Sequence, residues 1–353
     1  METNKVSINL VSHNINGFTG SERYLNTVCE DDPNSIICVQ EHWLRPAYKN
    51  FKSVNQLRTV HNAFDGYGVS GMKNVHNNSI LTGRPYGGTG FLFNRNFTSF
   101  LQPALQYETE RVCVMKLVDK DFTILIINVY FPFKQNSDEH RVQYMDVLGT
   151  VESILLANPM AKFIITGDLN YDIYDNRQQM SNTIRDFLYN YDLLCTHELD
   201  PLFNHGSSYT RCCLKGNTYS LLDYIFISSS LRDRVSRCEI RYDGTNPSDH
   251  IPVSMQLVVD PLVTGDDRYT KSQSGNGRIS WSSIPRDVLT EYKDTMGEML
   301  DSLVIPDNII HSDRLCFCEQ HIVQINEYYH SLLNVLEVAD SILPRKSPHG
   351  KRG

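Results

Sequence analysis

The stretch on which the fold depends is Phe163-Ile164-Ile165-Thr166-Gly167-Asp168-Leu169-Asn170. Its first four residues carry no charge, which is typical of a central strand that is buried on both faces. Its second half turns polar, and Asp168 and Asn170 are spaced so that both side chains can face the same way. Gly167 would let the backbone come close to a ligand. The stretch therefore predicts a buried strand that delivers polar groups to a site, although an Asx turn leaving the strand explains the same residues.

Four more short polar clusters each follow an apolar, strand-like run, and they are Asn14-Ile15-Asn16-Gly17, Gln40-Glu41-His42, Asp223-Tyr224 and Ser248-Asp249-His250. Any one of them would be ordinary for a strand end. Together, the five clusters supply carboxylates, carboxamides and an imidazole. These groups suit metal-assisted cleavage of a phosphate ester, in which the attacking group must approach an anion and the leaving alkoxide must be stabilised.

Glu41 is the predicted metal ligand, because it is a carboxylate released from a buried strand into a loop. Hard oxygen ligands without a His-Cys set point to Mg²⁺ or Mn²⁺ rather than to zinc. Asp168 is predicted to activate or orient the attacking water. Asn170 is predicted to donate to a phosphate oxygen, and Asn14 to complete the metal shell or to bind phosphate.

His250 is the predicted stabiliser of the negative charge that grows on the phosphoryl oxygens. A neighbouring carboxylate can keep such a ring charged or correctly oriented. Asp249 is adjacent in sequence, but adjacent residues of a strand point to opposite faces. Asp223 is therefore the better candidate to hold the ring, and the alternative role for Asp249 is to face the metal; the sequence leaves this choice open.

The remaining predicted site residues would surround the substrate. Asn128 and Tyr130 share an i, i+2 face of one strand. The phenol of Tyr130 could reach a phosphate, although a buried tyrosine bonded to the backbone is an equal alternative. The predicted substrate-binding residues are Asn128, Ser248, Thr210 and Arg211.

Apolar periodicity predicts further strands over residues 6–11, 36–39, 90–94, 112–117, 122–130 and 251–259. Ser21 is predicted to cap a helix over residues 22–30, and Ser137 is predicted to cap a helix that Asn158-Pro159 ends. Residues 50–88 are rich in Asn, Gly, His and Ser and are predicted to form a long loop region. Residues 209–211 and 221–227 are predicted to pair as a hairpin.

Composition sets broad limits on function. The chain has 353 residues, 41% hydrophobic and 21% charged, so it can bury a full core. The net charge of −8 argues against a broad basic surface for nucleic acid, although a DNA groove needs only a local basic rim. The nine cysteines lack zinc-finger spacing and are expected to be free thiols. Because no signal-peptide pattern or membrane-length apolar run is found, we expect a nuclear or cytoplasmic protein without a membrane partner.

The sequence changes in texture after Pro261. Residues 262–278 are rich in Gly, Ser, Asp and Lys, which suits a linker. Beyond them, apolar residues recur at helical spacing, and no strand pattern is found. We therefore expect a domain over residues 1–261, a linker over 262–278 and a helical extension over 279–353, with a basic tail at 346–352.

The order of these motifs resembles the endonuclease/exonuclease/phosphatase superfamily over about residues 6–259. Within that superfamily, the chain most resembles the endonuclease domain of non-LTR (LINE-type) retrotransposons. That likeness is carried by residues 12–18, 38–44, 83–88 and 218–223. Ser280-Trp281 and Tyr328-Tyr329 resemble the segment that precedes a reverse transcriptase in such elements. The chain departs from the family at Leu221, where a basic residue is frequent, which puts a DNA-strand contact there in doubt.

The resemblance implies an α/β fold, namely a four-layer α/β sandwich of two packed mixed sheets flanked by helices, here with a C-terminal helical extension. It implies Asn14 and Glu41 at the metal, with Asp223 and Asp249 as supporting carboxylates. It also implies His250 facing the phosphate, and Tyr130, Asp168 and Asn170 around it. The implied activity is nicking of a DNA phosphodiester to leave a 3′ hydroxyl, as in retrotransposon target-site cleavage.

The implied partner is DNA, expected to be double-stranded, together with a reverse transcriptase or element RNA complex. Two alternatives stay open. The same residues hydrolyse many phosphate esters in this superfamily, so an inositol phosphate or a phospholipid could be the substrate. The chain could also be a catalytically silent, element-derived binding protein.

Overall fold

The computed structural model describes residues 5–45, 54, 56–72, 86–213, 218–262, 284–303 and scattered positions between 328 and 343. Strands and helices are numbered in chain order. One sheet has six strands, which in spatial order are β13 (Val235–Ile240), β14 (Val253–Val259), β1 (Val6–Asn14), β2 (Ser35–Gln40), β4 (Thr89–Asn94) and β3 (Phe64–Val69). Within this first sheet, β1 and β2 are parallel and the other pairs are antiparallel.

The second sheet also has six strands, which in spatial order are β5 (Leu101–Pro103), β6 (Val112–Val118), β7 (Thr123–Tyr130), β8 (Lys162–Asp168), β12 (Asp223–Ser228) and β9 (Leu193–Cys195). Here β7 and β8 are parallel and the other pairs are antiparallel. The strand predicted to be central is β8, an interior strand of this sheet. A separate hairpin is formed by β10 (Arg211–Cys213) and β11 (Thr218–Ser220).

Successive strand residues point to opposite faces of a sheet, so each sheet can pack on both sides. One apolar cluster lies between the two sheets and one lies on the outer side of each, which gives the sandwich four layers. On β8, Ile164 packs between the two sheets, whereas Phe163 and Ile165 pack on the outer side. That outer side is covered by α2 (Asp138–Ala157) and α3 (Gln179–Asn190). The other sheet is covered by α1 (Phe18–Asp31). The predicted sandwich of two mixed sheets flanked by helices is confirmed.

The two predicted helix caps have different outcomes. Ser137 accepts a hydrogen bond from the backbone of His140, and this cap is confirmed. The predicted Ser21 cap is wrong, because α1 begins at Phe18, three residues before Ser21, and Gly17 is its N-cap. Ser21 lies inside the helix, where its hydroxyl donates to the carbonyl of Ile15 at 2.7 Å.

Two other predictions are corrected. The region 50–88 was expected to be a loop, but it contains β3, whose glycines leave room for Leu57. The strand over 221–227 was expected to pair with 209–211, but β12 instead pairs with β8 and β9, and β10 pairs with β11. Gly167 approaches a neighbouring strand rather than a ligand: its φ is +140°, and a Cβ there would lie 1.9 Å from the carbonyl oxygen of Val129.

The chain divides into two compact units, Met1–Gly265 and Asp266–Gly353. In the second unit, α4 (Arg286–Asp301) is helical as expected. Three predicted parts of this unit lie largely or wholly outside the described residues. They are the linker over 262–278, the part of the helical extension that follows α4, and the basic tail at 346–352. Among the helices of the described part, none is long and apolar enough to cross a bilayer.

Candidate functional site

The candidate site forms where inward-facing strand positions emerge at one end of the sandwich. On β1, Ile8 and Leu10 point between the sheets, so Asn14 points the same way. On β8, Ile164 points between the sheets, so Asp168 does as well. Polar strand ends of both sheets therefore enter one gap, and they are Asn14, Gln40, Asn128, Tyr130, Asp168 and Asp223.

Asn14 joins the two sheets at the centre of this gap. Its amide nitrogen donates to Glu41 at 3.1 Å and to Asp168 at 3.0 Å, while its amide oxygen accepts from the backbone of Asn16. The residue is fully buried. Asn14 thus lies beside the predicted metal ligand, where it holds two carboxylates from different sheets close together.

His250 lies between two buried aspartates. Its Nδ1 is 2.9 Å from Asp223, and its Nε2 is 3.9 Å from Asp168. The question that the sequence left open is answered by these contacts, because Asp223 rather than Asp249 holds the ring. Through Asn14 and Asp168, the His250 ring is linked to Glu41 by three steps of 3.1, 3.0 and 3.9 Å.

Burial and charge act on this pair in opposite ways. For Asp168, burial and the nearby Asp223 carboxylate outweigh the attraction of His250 and raise its pKa to about 7. For His250, burial alone would favour the neutral ring, but Asp223 and Asp168 together raise its pKa to about 9. At neutral pH, His250 therefore carries a proton, and Asp168 is able to accept one.

Asp249 is bound by other partners than His250. Its carboxylate accepts from Asn16 at 3.0 Å and forms an ion pair with Arg211 at 3.1 Å. Ser248 donates to the carbonyl of Asn14 at 2.7 Å and accepts from the backbone of His250. Ser248 therefore fixes the loop that carries His250, whereas Arg211 and Asp249 line the open side of the site.

Asn170 is drawn close to Asp168, as its spacing predicted. Its amide nitrogen donates to the carbonyl of Phe131 at 3.0 Å and to the Asp168 carboxylate at 3.3 Å. Its backbone donates to Asp168 as well, in the Asx-turn arrangement. Both amide hydrogens are thus already used. Asn170 orients Asp168, and a phosphate oxygen would have to replace one of these two acceptors.

Tyr130 lies at the edge of the gap, where burial and the Glu41 and Asp168 carboxylates raise the pKa of its phenol well above the usual range. The phenol therefore keeps its proton. Arg111, which the sequence analysis missed, lies 5.3 Å from the centre of the Tyr130 ring, and burial lowers the pKa of its guanidinium. Arg111 pairs with Tyr130 across two strands, a contact that no local pattern indicates.

Two of the predicted substrate contacts are corrected by their burial. Asn128 is fully buried, and its amide bonds to Gln40 and to the carbonyls of Val39 and Gly90. Thr210 is also fully buried, and its hydroxyl accepts from the backbone of Leu222 and Asp223. Asn128 fastens the two sheets together and Thr210 fixes the start of β12, and because their polar groups are engaged in these bonds, both have structural roles.

A cavity of about 330 Å³ opens above these groups, lined by Asn16, Glu41, Trp43, Tyr86, Phe133, Asn170, Arg211, Asp249 and His250. A larger cavity of about 750 Å³ adjoins it, because Tyr86 and Phe133 line both. These two aromatic side chains are 53% and 58% exposed. The site is therefore not a closed pocket, and its mouth has two aromatic walls that the sequence analysis did not single out.

The residues present fit a divalent cation. Among the residues that the structure describes, the lining is rich in carboxylate and carboxamide oxygens and contains no cysteine. Four carboxylates, namely Glu41, Asp168, Asp223 and Asp249, outnumber the three cationic side chains, which are His250, Arg211 and Arg111, so negative charge is in excess. The ligand atoms of Asp168, Asp223 and His250 lie within 4.8 Å of one another. A protonated His250 has no free lone pair for a metal, however, so Glu41 and Asp168 are the better ligands.

The model of the Endonuclease/Exonuclease/phosphatase family matches residues 11–250, a span that contains every predicted site residue. No curated protein sequence matches the chain.

Solved structures share this fold. The AP endonuclease LMAP from Leishmania major is 17% identical and aligns with a TM-score of 0.55, over 71% of this chain and 87% of its own. The 3′ phosphatase NExo from Neisseria, bound to product DNA hairpin, is 16% identical with a TM-score of 0.50, over 70% of this chain and 98% of its own. The endonuclease domain of TRAS1, a telomere-specific non-LTR retrotransposon, is 14% identical with a TM-score of 0.48, over 71% and 98%. The first two likenesses show the fold alone, and the third is too distant to support an inference.

Proposed function

Because the chain belongs to the Endonuclease/Exonuclease/phosphatase family, we propose that it is a divalent-metal-dependent endonuclease that nicks DNA and leaves a 3′ hydroxyl. The observation that carries this proposal is that Glu41 and His250 line one open cavity, while Asp168 lies buried beside both of them, 3.9 Å from the His250 ring and joined to Glu41 through Asn14. Such a set can bind an anionic phosphodiester and can accept a proton from an attacking water in the same place.

His250 would stabilise the negative charge that grows on the phosphoryl oxygens. Its Nδ1 is engaged by Asp223 at 2.9 Å, which leaves the Nε2–H to donate to the phosphate. Tyr130 keeps its phenolic proton and is a second donor at the edge of the site. The two donors come from different sheets, so the sandwich holds them apart at fixed positions.

Asp168 would accept the proton of the attacking water. Burial and the nearby Asp223 carboxylate raise its pKa above the usual carboxyl range, which makes it a better proton acceptor than an ordinary carboxylate. In the proposed reaction, the water oxygen bonds to phosphorus, one water proton passes to Asp168, and the bond from phosphorus to the 3′ oxygen breaks. The 3′ oxygen takes up a proton from the solvent to become a hydroxyl, the second proton of the attacking water stays on the new phosphate group or passes to the solvent, and the phosphate stays on the 5′ side.

Glu41 and Asp168 would hold the cation, Mg²⁺ or Mn²⁺, with Asn14 keeping the two carboxylates together. When bound, such a cation polarises the phosphate and offsets the charge on the leaving oxygen. Asp249 is bound to Arg211 and Asn16 instead, so we assign it to the support of this side of the site.

Nucleic acid is the preferred substrate because of the shape of the site. A cavity that continues past two exposed aromatic residues suits a chain with stacked bases better than a small phosphate ester. The Neisseria protein, described as bound to product DNA hairpin, supports the same substrate class. The narrower proposal of target-site nicking alongside a reverse transcriptase, in a nuclear or cytoplasmic setting, rests on the motif resemblance alone.

The test is nicking of supercoiled plasmid with Mg²⁺ or with excess chelator. We expect nicking by the wild type with Mg²⁺, and a loss of at least about 10²-fold in Glu41→Gln and His250→Gln. The control is Glu22→Gln, which removes an exposed carboxylate on α1 and should not change the rate. Extension of the nick by a DNA polymerase reports the 3′ hydroxyl.

The competing functions predict other results. Release of phosphate from inositol phosphates by the folded wild type, without nicking, would replace this proposal by a phosphoesterase. A folded protein with neither activity would be a catalytically silent binding protein. Nicking that persists in Glu41→Gln would reject the assigned site.

A further inference from the structure

The carboxylate of Glu41 is held at both of its oxygens. One oxygen accepts from the amide of Asn14 at 3.1 Å, and the other accepts from the indole nitrogen of Trp43, also at 3.1 Å. Asn14 belongs to the predicted site, but Trp43 was not assigned a role. Its half-buried ring lines the same cavity as Glu41. The indole therefore fixes the direction in which the carboxylate faces the cavity.

The loop around Glu41 is strained in a way that produces this contact. Glu41 and Trp43 both have left-handed backbone, with φ of 52° and 57°. Such a conformation costs about 1 kcal/mol or more for a residue other than glycine, and it persists only where the surroundings impose it. Here the surroundings are backbone hydrogen bonds: Gly17 donates to Glu41 at 2.8 Å, and Trp43 donates to Gly87 at 3.0 Å.

Gly17 also makes room for the indole. Its φ is +105°, and a Cβ added there would lie 2.5 Å from Cε3 of Trp43. The ring thus packs directly on the backbone at the end of β1, next to Asn14. Only glycine allows both this φ and this contact. Two adjacent loops are therefore shaped around one indole, whose nitrogen is aimed at the Glu41 carboxylate.

We propose that Trp43 is a positioning residue for the divalent-metal site, acting through Glu41. This inference rests on the proposed function, since it takes Glu41 as a metal ligand. A ligand that is already oriented loses less freedom when the cation binds, so the affinity is higher. Loss of such an outer hydrogen bond typically weakens metal binding about 10- to 100-fold.

The test measures metal binding without any nucleic acid. In Trp43→Phe, which keeps an aromatic ring on Gly17 but removes the N–H, we expect the Kd for Mn²⁺ by calorimetry to rise about 10-fold or more. The unfolding temperature of the metal-free protein should stay close to that of the wild type. In a Glu41→Ala background, the same substitution should change the Kd no further, because the two residues act together. Gly17→Ala should weaken binding as well, because it displaces the ring.

An unchanged Kd in a folded Trp43→Phe protein would overturn the inference, whatever the nicking activity. If Trp43→Phe does not fold, the Trp281→Phe variant leaves Trp43 as the only tryptophan of the chain. Saturation with Mg²⁺ should then change the emission of Trp43, and an unchanged emission would overturn the inference. Because the wild type can nick DNA in either case, failure here is distinct from failure of the proposed function.

Discussion

The two ends of the sandwich both bury carboxylates, but they treat them differently. At the end opposite the site, Asp119 is fully buried and its carboxylate accepts from the guanidinium of Arg234 and from the backbone of Asp121 and Asp260. At the site, Asp168 lies beside Asp223 as well as His250, and its pKa rises to about 7. Arg234 also pairs with Asp121, but that carboxylate is 69% exposed, whereas the two carboxylates that share His250 are both buried.

This difference separates a structural polar group from a functional one. A buried charge that is fully paired holds the chain in place, and it has nothing left to offer a ligand. A buried charge that shares its cation with a second buried carboxylate stays available for a proton or a metal, at a cost in stability. Chemistry is therefore expected where the pairing is incomplete.

The largest expected effect tests the functional end. Asp168→Asn should reduce nicking by about 10²- to 10⁴-fold, because it removes the proton acceptor and a metal ligand. Its free energy of unfolding at pH 7 should stay within about 1 kcal/mol of the wild type, since the neutral amide replaces a carboxylate whose charge is disfavoured there. Denaturation and nicking measured on one preparation check both values. A loss of stability in Asp168→Asn as large as the loss expected for Arg234→Met would contradict the proposed difference between Asp168 and Asp119.

Arg234→Met tests the structural end. It should lower the free energy of unfolding by about 3 kcal/mol, because it leaves the Asp119 charge buried without its partner. Nicking at a temperature where the variant is folded should be unchanged. The matched control is Arg177→Met, which breaks an exposed pair with Asp175 and should have no measurable effect on stability. Urea denaturation checks this, and equal stabilities of Arg234→Met and the wild type would contradict it.

Two buried histidines, His250 and His13, differ in charge for the same reason as the two carboxylates. His250 is kept charged by two aspartates, whereas burial and the nearby charge of His250 lower the pKa of His13 to about 3. Below pH 6.5, His13 is therefore protonated in the unfolded chain but stays neutral in the folded protein. The free energy of unfolding should therefore decrease as the pH is lowered through this range. From His13 alone, the decrease should be about 2 kcal/mol between pH 7 and pH 5.

Urea denaturation of the wild type and of His13→Gln across this range checks the value by subtraction. The two curves of unfolding free energy against pH should converge as the pH falls. Parallel curves would mean that His13 does not differ between the folded and the unfolded states.

The smallest expected effect concerns the mouth of the cavity. Tyr86→Ala and Phe133→Ala should each raise the KM for a DNA duplex about 10-fold, because stacking on a base contributes about 1–3 kcal/mol. The kcat should change little, since both side chains are exposed at the mouth of the cavity and carry no group that the proposed reaction uses. Tyr189→Ala is the control, because this exposed aromatic residue on α3 lines neither cavity. Equal KM values for all three variants would exclude the mouth as a binding surface.

The local sequence pattern predicted an element correctly where that element depends on one kind of interaction between neighbouring residues. The uncharged run of β8 and the Ser137 cap of α2 were predicted from the sequence, because burial and capping are properties of neighbouring residues. It failed at β3, where Gly66 and Gly68 indicate a loop but instead admit Leu57. The polar groups at strand ends look alike in sequence, so Asn128 and Thr210 could not be told from residues that face a substrate.

The amino-acid sequence is enough to identify the polar groups at the ends of the strands, because the alternation of a strand fixes the face of every side chain once the buried residues are known. Only the tertiary structure decided which of these groups meet. Asn14 finds Asp168 across 154 positions, and Asp223, rather than the adjacent Asp249, holds His250. These choices depend on how two sheets stack and where a loop turns, and both are set by packing between residues far apart in the chain.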